Sequence, residues 1–218
     1  MSERDAVRTD NVQRPRAKQI SRGLFVSQGA AVQVAALFLL GLEDSMNCRF
    51  RPIFRIDEPF LWEMLYYAAH VDEEPGSSIE SAKSNPFLLK YVTHWGQPGD
   101  LGMLAYAVGT LQPLGAAWLR VFVGTEKNCQ DLVEGTPELA IAVVPSSVGQ
   151  GIGSQLLRHL LNAASSVYPA IYLSVRATNP AKRLYERFGF VVIGELTNRV
   201  GGRSFHMKKD FSTLGRTR

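Results

Sequence analysis

From Phe50 onwards the apolar positions fall into short runs of period two or period 3.6, separated by Pro, Gly, Asn and Ser clusters. FRPIFRI (50–56) predicts a strand. Asp57 and Pro59 then stand where a helix cap and first turn belong, and FLWEMLYYAA carries apolar residues at helical spacing. A loop at Pro75–Ser78 precedes a second cap-and-turn pair, Asn85 and Pro86, and a helix over FLLKYVTHW that Gly96 should stop. Leu101–Ala107 and Leu114–Val123 predict an antiparallel hairpin. ELAIAVVP (138–145) is apolar on both faces, the mark of a buried central strand. Gly151–Ala164 sets Ile152, Leu156, Leu157, Leu160 and Leu161 on one helical face, and AIYLSV gives the next strand. Asn179 and Pro180 open a last helix that ends at Gly189, before two closing strands, FVVIGEL and SFHMKKD. The expected fold class is α/β (α+β), a mixed sheet of about seven strands with four helices in the order βααβββαβαββ.

Regular signals begin only at Phe50, so the expected organisation is a poorly structured extension over 1–48, one domain over 49–211 and a tail over 212–218. Gly29–Leu42 is apolar but far short of the roughly 20 residues that span a bilayer. It follows a basic segment, as in a signal peptide, yet no small-residue cleavage site stands after Leu42. The bland alternative is a true start at Met46.

Charge narrows the function classes. The net charge is +4, from 24 Lys+Arg against 20 Asp+Glu, but six basic and three acidic residues lie within the first 22 positions. The remainder is close to neutral and has no basic stripe with interleaved aromatics, which argues against a nucleic-acid binder. Cys48 and Cys129 share no ligand or redox spacing, and neither CxxC nor HExxH occurs, so a metal-free protein of the reducing cytoplasm is expected.

The chemistry concentrates at VVPSSVGQGIGSQLL, where a buried strand meets a helix with glycines at 149, 151 and 153. Residues without Cβ let the backbone turn sharply and aim successive N–H groups at one point, beside the positive end of a helix dipole. A pyrophosphate fits such a place. The bland alternative is a tight turn with close helix packing at Gly153. A dinucleotide fold would need an acid about 20 residues on, and Asn162–Tyr172 holds none. A P-loop would need Gly-Lys-Ser/Thr.

This run resembles motif A of the GNAT acetyltransferases, and NPAKRLYERFGF, 26 residues after Gly153, resembles their motif B. The resemblance covers Phe50 to about Asp210. It implies the GNAT acyl-CoA N-acyltransferase fold, with the fourth and fifth strands splayed, and acetyl-CoA as cosubstrate without a metal. Backbone at Val148, Gly149, Gln150, Gly151, Ile152, Gly153 and Ser154 would hold the pyrophosphate, and Ile141 and Val143 the pantetheine arm, with an N–H near Val143 on the thioester oxygen. Asn179 and Lys182 fall in motif B, near the cofactor arm. Tyr185 matches the residue that protonates the leaving thiolate. Val148 departs from the family, which usually has Arg or Gln there.

An amine with a pKa near 10 must lose a proton before it attacks, and Glu138, at the start of the fourth strand, is the candidate base. Its bland alternative is a solvated strand end, and that of Tyr185 a core aromatic. Trp62, Tyr66, Tyr67, Tyr91, Trp95 and Trp118 wall an acceptor cleft or belong to the core, while His70, His94, His159 and His206 show no partner pattern. The expected partner is a small-molecule or peptide amine, with no nucleic acid, no membrane and, by resemblance, a homodimer. The function expected is N-acetyl transfer, the alternative being a CoA-binding module without turnover.

Overall fold

A computed structural model describes residues 47–129 and 131–211; the expectations for 1–46, with the Gly29–Leu42 stretch, and for 212–218 lie outside them. In chain order the elements are β1 (Cys48–Pro52), α1 (Glu58–Ala68), α2 (Ile79–Ser84), α3 (Pro86–Leu89), β2 (Leu101–Ala107), β3 (Pro113–Val121) and β4 (Pro137–Val143). After these come α4 (Ile152–Ala164), β5 (Ala170–Arg176), α5 (Ala181–Arg187), β6 (Val191–Thr197) and β7 (Arg203–Asp210). The strands form one sheet in the order β1-β2-β3-β4-β5-β7-β6. All neighbours are antiparallel except β4 and β5, which run parallel.

Strand alternation gives the sheet two cores. Ala117, Leu119, Leu139, Ile171 and Leu173 face α4 and α5, where Leu156, Leu157 and Leu160 complete the packing. Ala116, Trp118 and Ala140 face the other way, onto Leu61, Met64, Leu65, Leu88 and Trp95 of the α1–α3 layer. A central β4 with apolar residues on both sides is what ELAIAVVP requires, because helices cover both faces of the sheet.

Three local expectations are corrected. The strand from Phe50 begins at Cys48 and stops at Pro52. Asp57 occupies the N-cap position of α1, but its carboxylate takes two 2.7 Å bonds from Arg51 and one of 2.8 Å from the Phe54 N–H instead of capping the helix. The helix expected over FLLKYVTHW closes after one turn at Leu89, and an additional helix, α2, precedes it, capped by Ser78.

The broken helix has a clear physical cause. Carbonyls that would continue it are taken by side chains of β3: Trp118 Nε1 donates to Tyr91 O at 3.0 Å, and the Arg120 guanidinium donates to Lys90 O, Thr93 O and His94 O. Arg120 is held in turn by two bonds to Asp100, at 2.9 and 2.7 Å, in a buried pair. A fully satisfied guanidinium in the core competes successfully with helical amides, and the chain turns at His94, which has a positive φ of 57°. Tyr91 is thereby presented towards the centre of the sheet.

Candidate active site

β4 and β5 touch as a ladder at one point only, Glu138 opposite Tyr172. β4 is fully paired to β3 on its other side and β5 to β7, so each strand follows a different partner and the two diverge towards their C-terminal ends. The gap opens a cleft of about 1130 Å³ through the sheet, with Ile141 and Val143 on one lip and Ser174 and Arg176 on the other. Ser174, in mid-strand, is exposed because no neighbour covers it.

At the wide end lies the glycine loop. Val144–Ser147 tightens into a short turn after Pro145, and the chain reaches α4 through Gly149 (φ 83°) and Gly151 (φ 82°), left-handed conformations that glycine adopts without steric cost. Among the described residues, the backbone N–H groups from Gly149 to Ser154 have no protein acceptor, the first such bond of the helix being Gln155 N to Gly151 O. Six amides beside a helix N-terminus therefore remain free for an anion. Packing does not explain Gly153, since a Cβ there would meet Val143 Cγ2 at an ordinary 3.7 Å. Val148, Gly149, Gly151, Ile152, Gly153 and Ser154 line the cleft. Gln150 instead turns its amide back onto Ser146 O at 3.2 Å.

Glu138 sits at the narrow end, 4% exposed. The bland reading of a solvated strand-end charge is thus set aside. Its Oε1 accepts from the Tyr91 hydroxyl at 2.7 Å and its Oε2 from Asn128 Nδ2 at 2.7 Å; Asn128 also donates to Tyr91 Oη. Burial raises the carboxyl to about 7, against the pull of Tyr91, Lys90 and Asn128. Lys90 lies over the Tyr91 and Phe122 rings, lowered by its own burial. The Tyr172 hydroxyl faces the same carboxyl and is buried without a hydrogen bond of acceptable geometry.

Tyr185, on α5, packs edge-on against Phe190 with centroids 5.9 Å apart and also lines the cleft, so the core role and the cleft-facing role coexist. Burial pushes its hydroxyl up to about 12. Asn179 Oδ1 caps α5 through Ala181 N at 2.8 Å, and its Nδ2 meets His70 Nε2 at 3.0 Å. Lys182 points elsewhere, to Glu186 and the Phe205 ring, outside the cleft lining.

Of the aromatics, Trp62, Trp95 and Trp118 belong to the core, while Tyr67 and Tyr91 reach the cleft. His159 packs tilted against Phe50, and His206 edge-on against Tyr172. His70 does have partners: besides Asn179, its Nδ1 lies 2.8 Å from Glu73 Oε1, and Glu73 also pairs with Arg176. His70, Asn128 and Tyr172 were not legible as site residues, since the fold alone sets His70 against Asn179, Asn128 against Tyr91, and Tyr172 of β5 against Glu138 of β4.

A mixed sheet whose two parallel strands part beside a helix that begins in free amides defines the class, an α/β fold with an open cleft between two strands. It is the GNAT acetyltransferase fold. Residues 139–211 match the family described as "Acetyltransferase (GNAT) domain". Similar solved structures include a spermidine N-acetyltransferase SpeG chimera from Vibrio cholerae and hSSAT (TM-score 0.54, 21% identity, 76% of this chain and 96% of that one). An N-acetyltransferase from Staphylococcus aureus Mu50 is similar at TM-score 0.55 and 20% identity, over 77% and 100% of the two chains. Aminoglycoside acetyltransferase AAC(6')-Ib, solved with coenzyme A, is similar at 0.51 and 20%, over 75% and 94%. Among curated protein sequences there is no match.

Proposed function

We propose that the protein is an N-acetyltransferase that moves an acetyl group from acetyl-CoA directly to an amine of a small molecule or peptide. The observation that carries this is the parting of β4 from β5 beside the unengaged amides of Gly149–Ser154. Acetyl-CoA supplies the activated thioester. Those amides bind the diphosphate, and the unpaired edge of β4 at Ile141 and Val143 binds the pantetheine arm as an added strand would. The amide near Val143 donates to the oxyanion, a contact often contributing about 3 kcal/mol.

Glu138 takes the proton that the amine must lose. Its pKa near 7 keeps it ionised in a useful fraction at neutral pH yet basic enough to accept, so activity rises as pH increases through about 7. Tyr185, protonated throughout that range, donates to the departing thiolate. Asn179 holds the start of α5, and so Tyr185, in register with the cleft. Cys48 and Cys129 share no ligand or redox spacing, which suits a reducing cytoplasm, and among the described residues no helix is long and apolar enough to cross a membrane. The names of the similar structures, spermidine and aminoglycoside acetyltransferases among them, point to an amine acceptor.

Thiol release from acetyl-CoA across a panel of amines tests the reading. Amine-stimulated release is expected. CoA binding without release for every amine would favour the alternative, a CoA-binding module without turnover, to which the exposed Val148 in place of a polar side chain gives some support.

A further inference from the structure

Glu138 is the expected base and itself belongs to the cleft lining, but it is nearly covered there and a second proton-carrying group, Tyr91, lines the cleft beside it. The carboxyl is 4% exposed, and each of its oxygens already accepts a bond at 2.7 Å, one from Tyr91 and one from Asn128. Tyr91 is only half-buried and contributes to the cleft wall. Its hydroxyl proton is committed to Glu138, and Asn128 Nδ2 donates to its oxygen. A phenolic oxygen so arranged keeps one lone pair, and that lone pair is available to an N–H arriving in the cleft.

We infer that Tyr91 is the proton relay of the proposed acetyl transfer, taking the proton from the acceptor ammonium while passing its own to Glu138. This rests on the acetyltransferase reading above. In the step, one N–H bond of the ammonium breaks and the proton joins Tyr91 Oη. At the same time the Tyr91 O–H bond breaks and its proton joins Glu138 Oε1. Ammonium and carboxylate become free amine and carboxylic acid, and Tyr91 ends neutral as it began. The concerted form is required because burial and the neighbouring Glu138 hold the Tyr91 hydroxyl well above its ordinary value, so a free tyrosinate does not accumulate. Asn128 is a positioning residue, since it donates to both members of the relay and fixes the angle between them.

The other charged and titratable groups around Glu138 are accounted for. Lys90 is bonded to Glu126 O and to Asn128 Oδ1 at 3.0 Å. Tyr172 faces the carboxyl from β5, with His206 behind it and Cys129 nearby. Arg120, opposite Glu138 on β3, is closed off by Asp100. None of these both hydrogen-bonds Glu138 and lines the cleft, as Tyr91 and Asn128 do, and Asn128 as an amide cannot carry the proton.

The test is a pH–rate profile of acetyl transfer for the full chain and for Tyr91→Phe, with the best amine of the panel. Removing the hydroxyl removes a bond that lowers the Glu138 pKa, so the acid limb moves to higher pH whether Tyr91 relays or merely positions. The plateau above that limb separates the two roles. A relay predicts that the plateau falls by about 10²-fold, with CoA affinity and thermal midpoint kept. A shifted limb with an unchanged plateau overturns the relay and leaves Tyr91 a positioning residue. Should Tyr91→Phe fail to fold, a proton inventory in mixed H₂O and D₂O on the unaltered protein decides: a curved plot, with two protons moving, supports the relay, and a linear one overturns it. If the unaltered protein releases no thiol with any amine, it is the acetyltransferase reading that has failed.

Discussion

A buried carboxyl that ionises near 7 leaves a signature in stability, independent of turnover. An ordinary glutamate titrates near 4.5, and burial at the meeting point of β4 and β5 raises Glu138 to about 7. The folded state thus holds the proton more tightly than the unfolded chain. The stabilisation this gives is complete below about 4.5 and is lost as pH rises through about 7. With about 1.36 kcal/mol for each tenfold difference in proton affinity, the wild type loses about 2.5 kcal/mol from this group between about pH 5 and about pH 8. Glu138→Gln does not titrate. It keeps an oxygen for Tyr91 and loses an acceptor for Asn128, a constant cost of about 1 kcal/mol. Urea unfolding, followed through the buried Trp62, Trp95 and Trp118, should therefore show the variant gaining about 2.5 kcal/mol relative to wild type over that interval. Groups such as His206 titrate in both proteins and cancel in the comparison. Parallel pH–stability curves would mean that Glu138 ionises like a solvated carboxyl, and its candidacy as a base poised near neutrality would fall with that result.

Other perturbations are specific in the same way. Gly149→Ala places a side chain at φ 83°, where its Cβ meets nothing within 4 Å, so the cost is backbone strain of about 1–2 kcal/mol. If the loop relieves that strain by turning its amides, calorimetry should show CoA binding weaker by about 5- to 30-fold, and unchanged affinity would count against the loop as the anchor. Tyr185→Phe should lower kcat by about 10²-fold at unchanged CoA affinity, with unaltered turnover removing it from the mechanism. Arg120→Ala leaves Asp100 buried and frees three carbonyls of the Lys90–His94 turn, and urea unfolding should show a loss of about 3–5 kcal/mol. A loss below about 1 kcal/mol would show that the turn does not depend on it.

Much of the architecture was legible in the chain. The doubly apolar ELAIAVVP run, the single apolar face of α4 and the glycines at 149 and 151 each follow from local rules, and each appears where those rules put it. Where reading failed, a tertiary partner had outcompeted a local one. FLLKYVTHW has the spacing of a helix, but Trp118 and Arg120, on a strand more than 20 residues away, take its carbonyls. Asp57 is a natural cap, yet Arg51 offers it a bidentate ion pair, a stronger use of a carboxylate than one exposed helix amide. Glu73 stands only three positions from His70, but Asn179 lies 109 positions on, and that contact could not be read from the chain.

Local sequence was enough to specify the glycine turn ahead of α4, because backbone conformation at a strand-to-helix turn depends on residues adjacent in the chain. It offered Glu138 as a candidate by residue type and position, and Tyr185 through the resemblance of its motif. What it could not supply was the environment that gives a carboxyl its chemistry. Glu138 is raised towards neutrality, and bonded to Tyr91 at the cleft, only because β3 breaks a helix and β5 parts from β4. Proton affinity depends on burial and on neighbours in space, and those are properties of the packed fold.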